Sequence, residues 1–181
     1  MINIDKVIFK QPNAGVGSLV HKLVAECPPL DQNSMYCNLL QTHHFSATSI
    51  AAIYQSNLIG FISGYLIPDR PDTLFVWQVA VDSKARGIGL ASKMLTELLQ
   101  RPNCSEVQYL ETSITSKNKA SWKLFERLAS SLKTPLNKSV LFDQFHHLNG
   151  QHDTEHLVQI GPFTQSEVIA LEPPINGPST N

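Results

Sequence analysis

Apolar positions along the chain repeat with two different periods, and the two periods alternate. Spacings of three and four residues predict amphipathic helices at residues 16–24, 34–40, 90–101 and 118–132. Alternating or continuous apolar runs predict strands at residues 7–10, 49–54, 58–67, 73–81, 107–114, 140–142 and 156–160. Because a hairpin comes first and strands then alternate with helices, we expect an α+β (α/β) fold with a single mixed central sheet and flanking helices.

Polar residues and prolines mark the boundaries of these elements. Asn13 is suited to cap the first helix, and Asn33 or Ser34 the second. A polar stretch at residues 69–72 predicts a break between two strands. From residue 164 onward, three prolines and few apolar residues predict disorder. We therefore expect one domain at residues 1–163 and a disordered C-terminal tail at residues 164–181.

The composition narrows the class of protein. Charged residues make up 16% of the 181 residues and the formal net charge is −1, so the basic surface that nucleic-acid binding requires is missing. No run approaches the roughly 18 apolar residues of a membrane span, and no signal-peptide pattern is present. Cys27, Cys37 and Cys104 form no Cys-x-x-Cys pair. We expect a cytoplasmic protein without a nucleic-acid partner, a membrane partner or a metal.

A glycine-rich loop follows the most apolar strand and opens the third helix. Gly87 and Gly89 allow backbone N–H groups to approach an anion, and a helix N-terminus favours a phosphate there. The loop is not a P-loop, because no Lys-Ser/Thr pair follows it. It is not a dinucleotide fingerprint either, because Ser92 stands at the third glycine position. The alternative is a glycine-rich turn that binds nothing.

The loop and its two neighbouring elements share a recurring pattern. Arg86, Gly89 and Ala91 form Arg-x-x-Gly-x-Ala, the run Gln78-Val79-Ala80-Val81 precedes it, and Asn118 opens the next helix. This pattern resembles the GCN5-related N-acetyltransferase (GNAT) superfamily, which implies that fold and acetyl-CoA as co-substrate. The resemblance places the following residues against the cofactor: Gln78, Val79, Ala80, Val81, Arg86, Gly87, Ile88, Gly89, Leu90, Ala91, Asn118 and Ser121.

Phe125 departs from the superfamily pattern. Many members have a tyrosine at this position that protonates the leaving thiolate, and phenylalanine cannot do so. Either another group protonates the thiolate or it leaves unassisted, which the modest pKa of a thiol allows.

Longer segments outside the loop are more specific. They lie at residues 27–37, 60–65, 68–81, 110–112 and 156–162. They resemble the L-2,4-diaminobutyrate acetyltransferases of ectoine synthesis. That resemblance implies a homodimer that transfers the acetyl group to the 4-amino group of L-2,4-diaminobutyrate, giving the compound that ectoine synthase cyclises.

An ammonium acceptor must lose a proton before its nitrogen can attack a thioester. Glu111 is our candidate base, because its strand should border the cofactor cleft. A buried glutamate paired with Arg or Lys is the alternative, and related enzymes often have a glutamate nearer the position of Ser113. A backbone N–H near Val79 or Ala80 should polarise the thioester carbonyl.

The zwitterionic end of the substrate needs an anion and hydrogen-bond donors. Asp31 is suited to its α-ammonium, and Asn33, Tyr36 and Arg70 to its carboxylate. The remaining candidates for substrate binding are Trp77 as a wall, Thr112 beside Glu111, and His156 as an orienting group. For Trp77 the alternative is ordinary core, and for His156 a structural histidine.

Other functions compete with this one. The run 152–156 reads His-x-x-Glu-His, the zinc pair and base of an inverted zinc peptidase, which requires both histidines on one helix. A non-catalytic acetyl-CoA-binding module is the second alternative. An acetyltransferase for a different small amine or polyamine is the third.

Overall fold

The central element is a mixed β-sheet with helices on both faces. The computed structural model describes residues 2–171. Its strands are β1 (Ile8–Lys10), β2 (Ile50–Tyr54), β3 (Asn57–Ile67), β4 (Arg70–Val81), β5 (Tyr109–Thr115), β6 (Leu136–Phe142) and β7 (Glu155–Ile160). Its α-helices are α1 (Gly17–Ala25), α2 (Met35–His43), α3 (Leu90–Leu99), α4 (Lys119–Ser131) and α5 (Gln165–Ile169). None of the helices within residues 2–171 is long and apolar enough to cross a membrane.

The strand order is β1-β2-β3-β4-β5-β7-β6, and β4 and β5 are the one parallel pair in this sheet. Helix α3 supplies the crossover that a parallel connection needs. The paired register of β4 and β5 is short: it runs from Thr73 opposite Tyr109 to Val76 opposite Thr112. Both strands continue beyond these pairs, so the sheet opens into a cleft between residues 77–81 and residues 113–115.

A bulge in β4 lies at the start of this opening. On β3, Ser63 pairs with Gln78 and the next residue, Gly64, pairs with Val76, so Trp77 is an extra residue. The bulge changes which side chains share a face of the sheet. Val76 packs in the core under α3 and α4, whereas Ala80 packs against α1. Without the bulge, both would point to the same face.

Two apolar clusters hold the helices on the sheet. On one face, α3 and α4 cover the larger cluster with buried side chains such as Leu90, Met94, Leu98 and Phe125. On the other face, α1 contributes Val20, Leu23 and Val24, which pack on Ala51, Phe61 and Ala80. The amphipathic spacing in the sequence predicted most of these buried side chains, but Leu19 of α1 and Ala120 of α4 are exposed.

Several predicted boundaries differ from the structure: β6 begins at Leu136 and not at residue 140, and β5 begins at Tyr109 and not at residue 107. The predicted break at residues 69–72 is a tight hairpin, because Ile67 already pairs with Arg70 and β4 begins there. Helix α2 is capped by Ser34, whose side chain accepts from the Cys37 N–H, and not by Asn33.

The start of the predicted tail is also ordered. Thr164 and Glu167 form a reciprocal capping box that begins α5, and Val168 is fully buried. Gln165 Nε2 donates to the Cys104 carbonyl at 2.8 Å, which fixes the helix to the domain. The prediction of disorder from residue 164 is therefore wrong for residues 164–171. The rest of the predicted tail, residues 172–181, lies outside the described residues.

Adjacent residues of α5 allow its contribution to stability to be measured. Val168→Ala should lower the free energy of unfolding by about 1–3 kcal/mol, because it leaves a cavity in the core. Ile169→Ala is the matched control: Ile169 is 71% exposed, and the change should stay within about 0.5 kcal/mol. Urea denaturation measures both. Equal effects of the two variants would show that α5 does not pack as described.

Candidate active site

The opening between β4 and β5 continues into a cavity of about 410 Å³. One wall is the strand end at Val79 and Val81, and the opposite wall is the start of α4 at Asn118 and Ser121. The glycine loop closes one end, and the segment after α1, residues 27–30, closes another. This is a cleft of the size and shape that an extended cofactor requires.

The glycine loop adopts a conformation that presents backbone donors to this cavity. Gly87 and Gly89 have φ of +79° and +81°, a left-handed backbone that glycine adopts without strain. Gly89 is the N-cap of α3, and the first turn of the helix at Leu90 and Ala91 also lines the cavity. The unpaired N–H groups of this turn and the helix dipole favour a bound phosphate.

Most of the predicted cofactor residues come together here. Those that line the cavity are Val79, Val81, Arg86, Gly87, Gly89, Leu90, Ala91, Asn118 and Ser121. Three do not line it. Gln78 and Ala80 alternate to the opposite face of β4, and Ile88 packs on the core under α3.

The segment after α1 is a part of the cavity that the cofactor prediction did not include. Cys27, Pro28, Pro29 and Leu30 line it, and the Cys27 thiol donates to the Val81 carbonyl at 3.3 Å. In the sequence, the two prolines indicated only the end of a helix. Their place beside Val81 depends on a contact across 54 residues, for which the local pattern holds no signal.

On the α1 face of the sheet, Glu111 is held in a buried network. Its two carboxylate oxygens accept from Arg70 Nη1 at 2.6 Å and Nη2 at 2.9 Å, and Gln159 Nε2 donates to Oε1 at 2.8 Å. Burial works to raise the pKa of Glu111, but the hydrogen bonds from Arg70 and Gln159 and the charge of Arg70 outweigh it and lower the pKa.

This network favours the alternative that the sequence left open for Glu111. A carboxylate with a lowered pKa and both oxygens occupied is a poor proton acceptor, so the geometry argues against Glu111 as the base. It is instead the paired, buried glutamate that was the alternative. Arg70 uses two guanidinium nitrogens on Glu111, which limits what it can offer to a substrate carboxylate.

A second carboxylate lies on the same face, nearer the cleft. Glu155 begins β7 opposite Thr115, and the Ser113 hydroxyl lies near its carboxylate. Burial raises the pKa of Glu155 and the nearby charge of Asp31 raises it further, while the Ser113 hydroxyl opposes the shift. Glu155 thus brings a carboxylate near Ser113 from a different strand, β7.

The structure places four of the predicted substrate residues, Asp31, Asn33, Tyr36 and Trp77, in different surroundings. Gln78 Nε2 donates to the Asp31 carbonyl at 2.9 Å and so holds the Asp31 loop over β4. Asn33 has a buried amide nitrogen, Nδ2, with no partner among the described residues. Trp77 is 42% exposed beside Tyr65, so it is not ordinary core. Tyr36 is 70% exposed and makes no side-chain hydrogen bond within residues 2–171.

Two predicted substrate residues lie on the other face. Thr112 is adjacent to Glu111 on β5 and points the opposite way, to the side of Leu110 and the α3–α4 core. His156 packs edge-on against Trp122 of α4, with 6.4 Å between the ring centroids. The structure therefore does not bring Thr112 and His156 together with Asp31 and Trp77.

The zinc alternative fails on geometry. Glu155 and His156 lie in β7 and His152 precedes that strand, so the two histidines do not share a helix face. Within residues 2–171, no group of three or more His, Cys, Asp or Glu side chains is placed to hold a metal ion.

The comparisons with known proteins agree with this geometry. The model of the acetyltransferase (GNAT) family matches residues 18–129. An L-2,4-diaminobutyric acid acetyltransferase of Methylotuvimicrobium alcaliphilum is 57% identical over 157 residues, which are 87% of this chain and 91% of that protein. The protein of the same name from Halomonas elongata is 44% identical over 90% of this chain and 84% of its own.

A solved structure is similar as well. Diaminobutyrate acetyltransferase EctA from Paenibacillus lautus, in complex with L-2,4-diaminobutyric acid and coenzyme A, superposes with a TM-score of 0.84. It is 37% identical and covers 87% of this chain and 95% of that one.

A parallel strand pair that separates beside a glycine loop, with carboxylates on the α1 face of the sheet, is typical of an N-acetyltransferase. The chain belongs to the GNAT family and, within it, to the L-2,4-diaminobutyric acid acetyltransferases. The family and the fold class predicted from the sequence are confirmed.

The altered interpretation of Glu111 can be tested by stability. Glu111→Gln should lower the free energy of unfolding at pH 7 by about 1–3 kcal/mol, because Arg70 and Gln159 lose a charged acceptor. Since folding lowers the pKa of Glu111, this stabilisation exists above the unfolded pKa and is lost as pH falls through the folded value. The difference should therefore shrink below about pH 4.

The control for this experiment is Glu97→Gln. Glu97 pairs with Lys93 on α3 at 2.8 Å, where both side chains are partly exposed, and its loss should change stability by less than about 1 kcal/mol. Urea denaturation at several pH values measures both variants. A Glu111→Gln difference that persists undiminished in acid would contradict the ion-pair assignment.

Proposed function

We propose that the protein transfers the acetyl group of acetyl-CoA to the 4-amino group of L-2,4-diaminobutyrate, giving N4-acetyl-L-2,4-diaminobutyrate. The observation that carries this proposal is the cleft itself. The glycine loop lines the cavity beside Val79 and Val81 of β4, and on the α1 face of the same sheet the half-buried Glu155 lies near Asp31, whose carbonyl accepts from Gln78 of β4. The similarity to a diaminobutyrate acetyltransferase that binds both ligands supports the same assignment.

The charges around the opening suit this acceptor. Diaminobutyrate has two ammonium groups and one carboxylate, so its net charge is positive. Asp31 and Glu155 are close enough for their charges to interact, whereas the charge of Arg70 is offset by Glu111. The exposed indole of Trp77 adds a face that attracts an ammonium group. The unpartnered Asn33 amide supplies a donor for the carboxylate.

In the proposed reaction, Glu155 accepts a proton from the 4-ammonium group. Its raised pKa brings it nearer to the working pH than Glu111, which makes it the better base of the two. The free amine then attacks the thioester carbonyl, and the C–N bond forms as the carbonyl oxygen gains negative charge. When that intermediate collapses, the C–S bond breaks and the thiolate of CoA leaves, while the attacking nitrogen releases its second proton to solvent and becomes the amide nitrogen.

Two features of β4 and α4 support these steps. Beyond the bulge at Trp77, β4 has no register pairs with β5, so its backbone N–H groups near Val79 are available to the developing oxyanion. Phe125 is buried in the core and has no proton to give. The thiolate therefore leaves without help from this position, consistent with its ordinary pKa near 8.5.

The identity of the acceptor is tested by release of free CoA thiol. Acetyl-CoA would be combined with diaminobutyrate, ornithine, lysine, spermidine or an N-terminal peptide. We expect strong preference for diaminobutyrate, with the acetyl group on N4 by NMR. Preference for another amine would overturn the acceptor but keep the cofactor site. Acetyl-CoA binding without any turnover would overturn the enzymatic assignment.

The role of Glu155 is tested by its pH dependence. Glu155→Gln should lower kcat/KM at pH 7.5 by about 10²–10⁴-fold, because no carboxylate accepts the ammonium proton. The deficit should shrink towards pH 10, where more of the amine is already free. Asp153→Asn is the matched control: Asp153 is two residues away and pairs with the exposed Lys117. A deficit that does not change with pH would show that Glu155 positions the substrate without taking its proton.

We also propose that the protein is a homodimer. Strand β6 is at the edge of the sheet and exposes Val140 and Phe142, and the following segment exposes Phe145. Exposed apolar side chains along an edge strand favour association with a second copy.

Oligomeric state can be measured by sedimentation equilibrium. The unaltered protein should sediment at twice the chain mass, and Val140→Lys with Phe142→Lys should sediment as a monomer. Ile8→Lys is the control, because Ile8 is 63% exposed on the opposite edge strand, β1. If the β6 variant stays a dimer and Ile8→Lys becomes a monomer, the interface is at β1 and the proposed β6 interface is wrong.

The cellular role follows from the proposed reaction. We propose that the protein acts in the cytoplasm, where acetyl-CoA is available and where its three free cysteines stay reduced. Its product would be the substrate that ectoine synthase cyclises during osmoadaptation.

A further inference from the structure

The charged residues that line the cofactor cavity are all of one sign. Arg86, Lys123 and Arg127 line it, and no Asp or Glu side chain does. The whole chain has 14 basic and 15 acidic residues, so this local excess is not a consequence of overall charge. A cavity with three cations and no internal anion is suited to a ligand with several negative charges.

Two of the three cations come from one face of α4. Ala120, Lys123, Leu124 and Arg127 are spaced by three and four residues, and all four line the cavity. A second cavity of about 560 Å³ continues between α3 and α4, and Lys123 and Arg127 line this one too. Both side chains therefore stand where the two cavities meet, next to Gly89 at the start of α3.

Lys123 and Arg127 are not used elsewhere in the described part of the fold. Both are exposed, and the salt bridges found among residues 2–171 involve other side chains. Glu126 borders the second cavity only. The two cations therefore face the junction without a carboxylate in salt-bridge range.

The cofactor has more phosphate than the glycine loop accounts for. CoA has a diphosphate and, on its ribose, a separate 3′-phosphate. The loop at residues 87–91 and the start of α3 match the diphosphate, since backbone N–H groups and a helix dipole serve it. The remaining phosphate is a dianion, which calls for cationic side chains.

We infer that Lys123 and Arg127 form a subsite for the 3′-phosphate of CoA and make the enzyme discriminate between CoA and dephospho-CoA. The inference rests on the proposed use of acetyl-CoA and specifies which end of that ligand α4 recognises. Arg127 supplies a planar fork that can bind two phosphate oxygens, and Lys123, one helical turn earlier, supplies a compact charge.

The test compares two donors that differ by this phosphate alone. Kinetic constants would be measured with acetyl-CoA and with acetyl-dephospho-CoA, and Kd by calorimetry with CoA and dephospho-CoA. The unaltered protein should favour the phosphorylated form by about 10- to 100-fold. The double variant Lys123→Ala with Arg127→Ala should lose most of this preference, because its KM for acetyl-CoA rises. Its kcat and KM for acetyl-dephospho-CoA should change less than about twofold.

Lys119→Ala is the matched control, because Lys119 is exposed on the same helix and lines neither cavity. It should leave the preference between the two donors unchanged. Thermal melting checks that the variants fold. We expect them to do so, because all three substituted side chains are exposed.

Equal weakening of both donors in the double variant would overturn the subsite, since the cations would then serve the diphosphate. Equal affinity of the unaltered protein for CoA and dephospho-CoA would overturn it as well. If neither compound binds, the cofactor assignment itself fails and the subsite fails with it. If both bind but diaminobutyrate is not acetylated, the binding data still decide the subsite and only the acceptor is wrong.

Discussion

The parallel pairing of β4 and β5 stops after four residue pairs, between Thr73–Val76 and Tyr109–Thr112, and the active site depends on that interruption. A continued pairing would satisfy the backbone groups of both strands and close the sheet. Because it ends, backbone donors of β4 become available to a ligand. The bulge at Trp77 stands at this point and turns Val79 and Val81 into the opening. Strand geometry thus creates the binding groove before any side chain takes part.

The two glutamates near the opening show how one face of a sheet can hold two chemically different carboxylates. Glu111 is paired with Arg70 and Gln159 and has a lowered pKa, whereas Glu155 is half-buried beside Asp31 and has a raised one. The Arg70–Glu111 pair stays charged and, with Gln159, holds this part of the sheet surface in a fixed geometry. Glu155 is left as the group whose proton affinity suits exchange with an amine.

Local features were predictable from the sequence, and features that depend on distant residues were not. The loop at residues 86–91, helices α1 to α4 and the approximate positions of the strands along the chain were predicted from spacing within short windows. The Arg70–Glu111 pair joins residues 41 apart, and Gln159 reaches Glu111 across 48. Glu155 approaches Ser113 only because β7 pairs with β5. The ordered start of the predicted tail depends on Val168 entering the core, which the polar residues 164–167 before it do not indicate.

The extra residue at Trp77 also limits how the chain length can vary. Removing Trp77 itself would join Gln78 to Val76 in regular alternation, so residues 78–81 would keep their faces and only the bulge would be lost. Adding one residue between Trp77 and Val79, with the bulge kept, would exchange the faces of the residues that follow it. Val79 and Val81 would then point to α1, and Ala80 would point into the groove. Substitutions in this stretch change single contacts, but an insertion inverts the strand end. Its length should therefore be inherited more strictly than its composition.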